Sequence, residues 1–262
     1  MDSVNKTLYI PLYGKAFVSK KGILLSDQKS EEIWDQEGFP LKGKAASKWL
    51  AYYMGMRSAV FDRWTKAQME NMPEACIVHI GCGMDSRCLR IDHGKRRWYD
   101  VDFPEVIRER RKYFAETDCY RMLSEDMRRS DWKQQIPAGE QAIVVMEGVS
   151  MYFQREALKM LLRSLRSHFS QVTLLMDVYT TFAAKATKYK NPINEVGVTT
   201  VYGIDDPDAL AKKTGYCYVR EHTLTPTDLI AQLTPWERVV FSNLFAGKFA
   251  RKIYRLHEFK TE

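Results

Sequence analysis

Residues 77–91 read IVHIGCGMDSRCLRI. The apolar run that starts at Ala75 stops at Gly81, and Gly83 follows one residue later. Glycines at such a place let the chain turn sharply off a strand and let its backbone approach a ligand closely. In open α/β sheets, ligands bind just beyond the carboxyl ends of the strands. Two glycines alone are a weak signal, because many strand–helix turns contain them for turning only.

The runs downstream give the turn its context. Residues 98–101, 119–123, 142–146 (AIVVM) and 172–176 (VTLLM) are short and apolar, with turn residues at their ends. That pattern predicts strands buried on both faces, as in a parallel sheet. Helical stretches lie between them. One spans 104–114, with Pro104 in its first turn. Another spans 155–168, with Leu158, Leu161, Leu162 and Leu165 on one face. Alternating strand and helix predicts a doubly wound α/β fold.

Upstream, residues 48–66 carry Trp49, Tyr52, Tyr53, Met56, Val60, Phe61 and Trp64 at helical spacing. The first ~45 residues are irregular by pattern, apart from a short helix at 26–34 opened by a Ser or Asp cap. Beyond Asp177 the alternation loosens. Residues 180–202 are polar and read as a cap or lid. Residues 206–214 read as a helix with Pro207 at its start and Gly215 past its end, and 216–224 and 251–258 as two late strands. The organisation expected is a single domain over 1–262, with an N-terminal helical segment at 1–70 and a cap insertion at 178–204.

A length of 262 residues suits one such domain, and a hydrophobic fraction of 45% suits a folded core. No apolar run approaches the roughly 20 residues that span a bilayer, and the first residues lack signal-peptide character. A cytoplasmic protein without membrane contact is expected. The five cysteines are odd in number and lack CxxC spacing, so neither a disulfide framework nor a metal site is expected. Cys82 reads as a small residue filling the glycine turn. The net charge of +7 comes partly from basic runs at 95–97, 108–112 and 128–129. Such runs usually sit on solvated faces, and no RNA-stacking module accompanies them.

Acidic residues close the successive strands. Asp100 and Asp102 lie about 20 residues beyond Gly81, the distance at which a carboxylate meets a ribose diol. Nicotinamide enzymes share that arrangement, but their fingerprint needs a third glycine to seat a pyrophosphate. Here Ser86 stands in its place. S-adenosylmethionine has no phosphate and tolerates the side chain. Asp102 also suits a helix N-cap before Pro104. Glu125-Asp126-Met127 follow the third strand, where a carboxylate and a neighbouring N–H suit an adenine ring. Glu147 ends the fourth strand in VVMEG, and its plain alternative is a strand-end acid facing water.

With these residues in view, the sequence resembles the leucine carboxyl methyltransferase superfamily, in particular its bacterial branch with polyketide O-methyltransferases of the tetracenomycin type. The matching segments are MRSAVFDRW (56–64), 77–91, WYDVDFPEVIRERR (98–111), EDMRRSDW (125–132) and VVMEGVSMYF (144–153). Weaker matches are TLYIPLYGKAF (7–17), VYGIDDPDAL (201–210) and GYCYVREHTL (215–224). The resemblance implies a class I, Rossmann-like, mostly parallel seven-stranded sheet. It implies S-adenosylmethionine as cofactor and S-adenosylhomocysteine as product. Arg57, and Lys15 as a second contact, would meet the cofactor's carboxylate. Gly81 and Gly83 would pass its methionine part, and Glu147 would meet the amino group. Asp102 would hold the ribose, Asp126 and Met127 the adenine, and Tyr152 would face the acceptor. The family's turn runs GxDTR, and Ser86 here keeps the hydroxyl.

The function expected is O-methylation of a small molecule, with a carboxylate among the candidate acceptors. A carboxylate needs no base, whereas a phenol, with a pKa near 10, does. Of the sheet-region histidines, His79 reads as core and His93 as loop, and with His168 also in view no base is assigned. The competing readings are a nicotinamide-dependent oxidoreductase and a nucleic-acid-binding protein on the same fold.

Overall fold

The computed structural model describes residues 7–39, 41, 43–129, 131–186 and 200–262. Seven strands form one sheet: β1 (Cys76–Ile80), β2 (Trp98–Asp102), β3 (Tyr120–Ser124), β4 (Gln141–Met146), β5 (Gln171–Tyr179), β6 (Cys217–His222) and β7 (Tyr254–Lys260). Their spatial order is β3-β2-β1-β4-β5-β7-β6. The first five are parallel, and β7 runs antiparallel to both β5 and β6. Strand order reverses between β1 and β4, which opens a crevice at the carboxyl ends of those two strands.

Side chains alternate across this sheet, as a strand's two-residue period requires. Ile77, Trp98, Ile143, Val145 and Leu175 face one layer. Val78, Val101, Val144, Leu174 and Met176 face the other. Both faces are covered, which is why these segments read as continuous apolar runs.

Among the described residues, three α-helices precede the sheet: α1 (Tyr9–Lys20), α2 (Gln28–Glu37) and α3 (Lys48–Asn71). The helix α1 corrects the irregular reading of the first ~45 residues. Pro11 falls in the first turn, where a missing N–H costs nothing. Gly14 is small for packing: a Cβ there would lie 2.5 Å from Met54 Cβ of α3. The α2 cap is Asp27, which accepts from Ser30 N at 2.9 Å, and Gly38 at φ 58° ends the helix. Ser47 caps α3, and the helix runs past residue 66 to stop just short of Pro73.

Helix α4 (Pro104–Arg110) follows β2, and α5 (Arg155–His168) follows β4. Leu158, Leu161, Leu162 and Leu165 of α5 are buried, each contributing roughly 1.5–3 kcal/mol. After β5 comes α6 (Thr181–Ala186), then α7 (Pro207–Thr214), capped by Asp206 and closed by Gly215. The cap expected at 178–204 overlaps the end of β5 and α6. Its remainder from 187 to 199 lies outside the described residues.

Residues 227–251 are largely helical, although only strands were expected in the neighbouring stretches. Helix α8 (Pro235–Phe241) continues into a π-helical stretch, Ser242–Ala246, and then a turn at Lys248–Arg251. For this reason the second late strand begins at Tyr254. A capping signal was present in Thr-Pro-Trp-Glu: the Thr234 hydroxyl donates to Glu237 Oε2 at 2.8 Å. Glu237 also accepts from Tyr52 at 2.9 Å and Lys48 at 3.0 Å, which fastens α8 to α3.

Candidate active site

A cavity of about 800 Å³ opens at the carboxyl ends of β1, β2 and β4. One half is polar and is built on the glycine turn. Gly81 takes φ 70° and Gly83 takes φ 51°. A Cβ on Gly81 would stand 2.4 Å from Val149 Cγ2, so the turn after β1 and the turn after β4 approach each other only through glycine.

Asp102 ends β2 with its side chain against this turn. Its Oδ2 accepts from Gly83 N at 2.8 Å and its Oδ1 from Phe103 N at 2.8 Å. Each oxygen keeps a further lone pair, enough for the two hydroxyls of a diol. Burial raises its pKa to about 6 even though both N–H donors pull the other way. The expected N-cap role is absent, since Phe103 takes the N-cap position of α4 and no side chain caps the helix. Arg110, paired with the buried Asp100, donates to Gly83 O at 3.0 Å and braces the turn from below.

Glu147 does not face water. Its Oε1 accepts from Arg57 Nε at 3.0 Å and from Ser58 at 2.9 Å, both on α3, while its Oε2 pairs with Arg87. Burial would raise its pKa, but Arg87 and Arg57 outweigh this and hold it at about 2. Lys15 of α1 pairs with Asp85 at 2.7 Å, and Asp85 also lies 3.7 Å from Arg87. Charges therefore alternate in and behind the wall: Lys15, Asp85, Arg87, Glu147, Arg57 and then Asp177, with Arg87 and Asp177 fully buried behind the lining residues. The Ser86 hydroxyl, in place of the threonine, donates to Asp27 at the head of α2. The glycine turn is thus tied to all three N-terminal helices.

Met127 and Arg128 line the cavity, but Asp126 does not; its carboxylate is turned onto Arg128 at 2.6 Å. Tyr152 lines the other half of the cavity, which is largely apolar, together with Tyr53, Tyr179, Phe182, Phe245 and Phe249. His79 is buried beside Asp100, His93 bonds Arg96 O, and His168 bonds Ile136 O. Cys82 is buried, and that burial pushes its thiol well above the ordinary range, as suits a packing role.

Sequence reasoning passed over Arg87, Asp177 and Tyr254. Arg57 Nη1 donates to the Tyr254 hydroxyl at 3.1 Å, and that hydroxyl donates to Asp177 Oδ2 at 2.7 Å. Asp177 closes an apolar run as Glu147 does, so the same signal pointed to it. Tyr254 opens an antiparallel strand, and nothing local marks it.

The leucine carboxyl methyltransferase model matches residues 3–166. The chain belongs to the leucine carboxyl methyltransferase family. It is accordingly an S-adenosylmethionine-dependent O-methyltransferase rather than a nicotinamide-dependent oxidoreductase. Tetracenomycin polyketide synthesis O-methyltransferase TcmP of Streptomyces glaucescens is 25% identical over 98% of this chain and 96% of its own length. The S-adenosyl-L-methionine-dependent methyltransferase dpfgK of Gibberella zeae is 26% identical over 80% of this chain and 78% of its own. Among solved structures, magnesium protoporphyrin IX methyltransferase from Synechocystis PCC 6803, with bound SAH, superposes with a TM-score of 0.52. It is 13% identical and covers 90% of this chain and 93% of its own, so it shares the class I fold.

The donor set fits the cofactor. A zwitterionic methionine end suits a wall of alternating cations and anions, a ribose suits the open lone pairs of Asp102, and an adenine suits the apolar side chain of Met127. When bound, S-adenosylmethionine supplies a methyl group on a sulfonium, already activated for displacement. The chain's share is then to align the acceptor and exclude water.

Proposed function

We propose that this family member methylates an oxygen of a small, apolar, ring-bearing acceptor of the polyketide kind. The observation that carries the reading is the two-part cavity. A charged half at the glycine turn opens directly into a half walled by tyrosine and phenylalanine. Flat apolar rings bury favourably against such side chains.

In this reading Arg57 and Lys15 meet the cofactor carboxylate, Glu147 its amino group, and Gly81 and Gly83 its methionine part. Asp102 holds the ribose. Met127 packs on the adenine, and Asp126 joins it by exchanging Arg128 for the ring's amino group. Tyr152 faces the acceptor. The chain acts as one domain, with α6 and the segment from α8 to residue 251 as the cap.

It works in the cytoplasm, without nucleic acid. Among the described residues no helix is long and apolar enough to cross a membrane. Several basic residues are engaged locally, Arg110 with Asp100, Lys112 with Glu109 and Arg128 with Asp126.

The test is thermal unfolding of the purified chain with S-adenosylhomocysteine, followed by methyl transfer from S-adenosylmethionine to a panel of naphthols and naphthoic acids read by mass spectrometry. A rise in melting temperature and a singly methylated product are expected. No shift with the homocysteine product would sink the reading.

A further inference from the structure

We infer that a second cleft beside the active-site cavity binds an anionic group at the far end of the acceptor, a carboxylate or a phosphate remote from the oxygen that is methylated. The inference deepens the reading above and rests on it. It takes the methylated oxygen to belong to a carboxylate and adds a second negative charge to the ring-bearing acceptor.

The sequence marks the place. Residues 248–255 read KFARKIYR, with basic side chains at Lys248, Arg251, Lys252 and Arg255. In the fold all four line a cleft of about 640 Å³. Among the described residues no acid lines it. Phe182 and Phe249 stand in the walls of both this cleft and the active-site cavity. A flat acceptor lying against these two rings has its far end among cations.

The cations are only partly neutralised. Arg251 and Arg255 share one carboxylate, that of Glu221, at 3.0 and 2.6 Å. Asp205 also acts on Arg255, while its own carboxylate accepts from Thr181 N at 2.8 Å. Lys248 and Lys252 have no ion-pair partner among the described residues. Four cations against two acids leave an excess of positive charge in one place. Such an excess draws in an anion, and charge-assisted hydrogen bonds hold it.

Backbone bonds fix the floor of the cleft. Thr180 Oγ1 donates to Lys252 O at 2.6 Å, and Thr180 N donates to Ile253 O at 3.1 Å. These bonds tie the end of β5 to the chain that carries the lysines. A Cβ on Gly203 would lie 2.4 Å from Thr180 O, so a third segment presses on the same corner. Tyr254 lines the active-site cavity, and the two-residue period of β7 turns Arg255 away from it into the cleft. One strand thus supplies a side chain to each compartment.

The spacing sets the acceptor's length. Asp177, behind the charged half of the cavity, and Thr180, in the cleft, are three residues apart in the chain, about 10 Å along a strand. Two carboxylates at opposite ends of a biphenyl span a similar distance. Phe182 and Phe249, 58% and 61% exposed, offer the apolar surface that the rings between them would cover.

The test uses the full chain and two probes, biphenyl-4,4′-dicarboxylate and biphenyl-4-carboxylate, which differ only in the far carboxylate. Calorimetry measures the binding of each to the complex with S-adenosylhomocysteine. The diacid should bind about five- to tenfold more tightly, more than the statistical factor of about two from its equivalent ends and in line with two exposed ion pairs. The advantage should shrink in high salt. Lys248 and Lys252 are exposed, so their variants are expected to fold. Lys248→Met with Lys252→Met should reduce the preference to about the statistical factor, and Lys248→Arg with Lys252→Arg should keep it. Equal or absent binding of the two acids by a chain that holds S-adenosylhomocysteine would overturn the inference, as would a preference that survives in the double Met variant. Binding of inorganic phosphate without a preference for the diacid would show a free anion's site and overturn the assignment to the acceptor. A wild type that does not bind S-adenosylhomocysteine would instead overturn the reading beneath it.

Discussion

Asp102 Oδ2 accepts the backbone N–H of Gly83 at 2.8 Å. The acid that ends the second strand thereby fixes the turn that follows the first, 19 residues earlier. One carboxylate sets the loop and still offers lone pairs to a ribose. Asp102→Ala should therefore raise the Kd for S-adenosylhomocysteine by about 10- to 100-fold, the worth of charge-assisted hydrogen bonds. Isothermal titration calorimetry measures it, and an unchanged Kd would remove Asp102 from the ribose role.

The same residue predicts a pH dependence. Burial sets its pKa at about 6 in the ligand-free chain. Hydroxyl donors select the ionised form, so protonation competes with the ligand as pH falls through 6. Affinity should be flat above about pH 7 and weaken toward tenfold per unit below 6. Asp102→Asn should flatten that slope; a slope that survives in the variant belongs to another group.

Arg87 is fully buried between Asp62, at 2.6 Å, and Glu147. Removing one member of a buried pair strands its partners at a cost of about 3–5 kcal/mol. Arg87→Met should lower the melting temperature by on the order of 10 °C in scanning calorimetry. A change of about a degree would show that the partners relax to solvent.

The two glycines of the turn should behave differently. Both have positive φ, which costs a side chain roughly 1–2 kcal/mol. Gly83→Ala meets only Leu8 Cβ at 3.5 Å and should fold with about that loss. Gly81→Ala collides with Val149 and should lose several kcal/mol more, together with S-adenosylhomocysteine binding. Adding Val149→Gly, which removes both the Cγ2 at 2.4 Å and the Cβ at 2.6 Å, should restore part of both. Equal melting temperatures for the two single variants would count against the steric account.

What the sequence disclosed follows from how local each signal is. Strands β1, β2, β4 and β5 are apolar because both their faces are covered, so a one-dimensional run was enough to find them. The acids at their ends were visible for the same reason, and Asp177 was available by that rule. Helix α1 was hidden because Pro11 and Gly14 look like breakers until the first-turn position of one and the Met54 contact of the other are known. Asp126 and Met127 adjoin in sequence, yet only Met127 reaches the cavity, and adjacency cannot show which way a loop residue turns. Tyr254 depends on β7 entering the sheet beside β5, a pairing across 77 residues between Tyr254 and Asp177.

The placement of β7 between β5 and β6 also has a consequence for biosynthesis. Among the described residues strand β6 pairs with β7 alone, so a nascent chain that has made residues 217–222 carries a strand with no such neighbour until 254–260 leave the ribosome. At about 5–20 residues per second, that interval lasts a few seconds. During it the bare edges of β5 and β6 invite pairing with other chains. A ribosome stalled in this window holds a product with its glycine turn made and its Tyr254 missing.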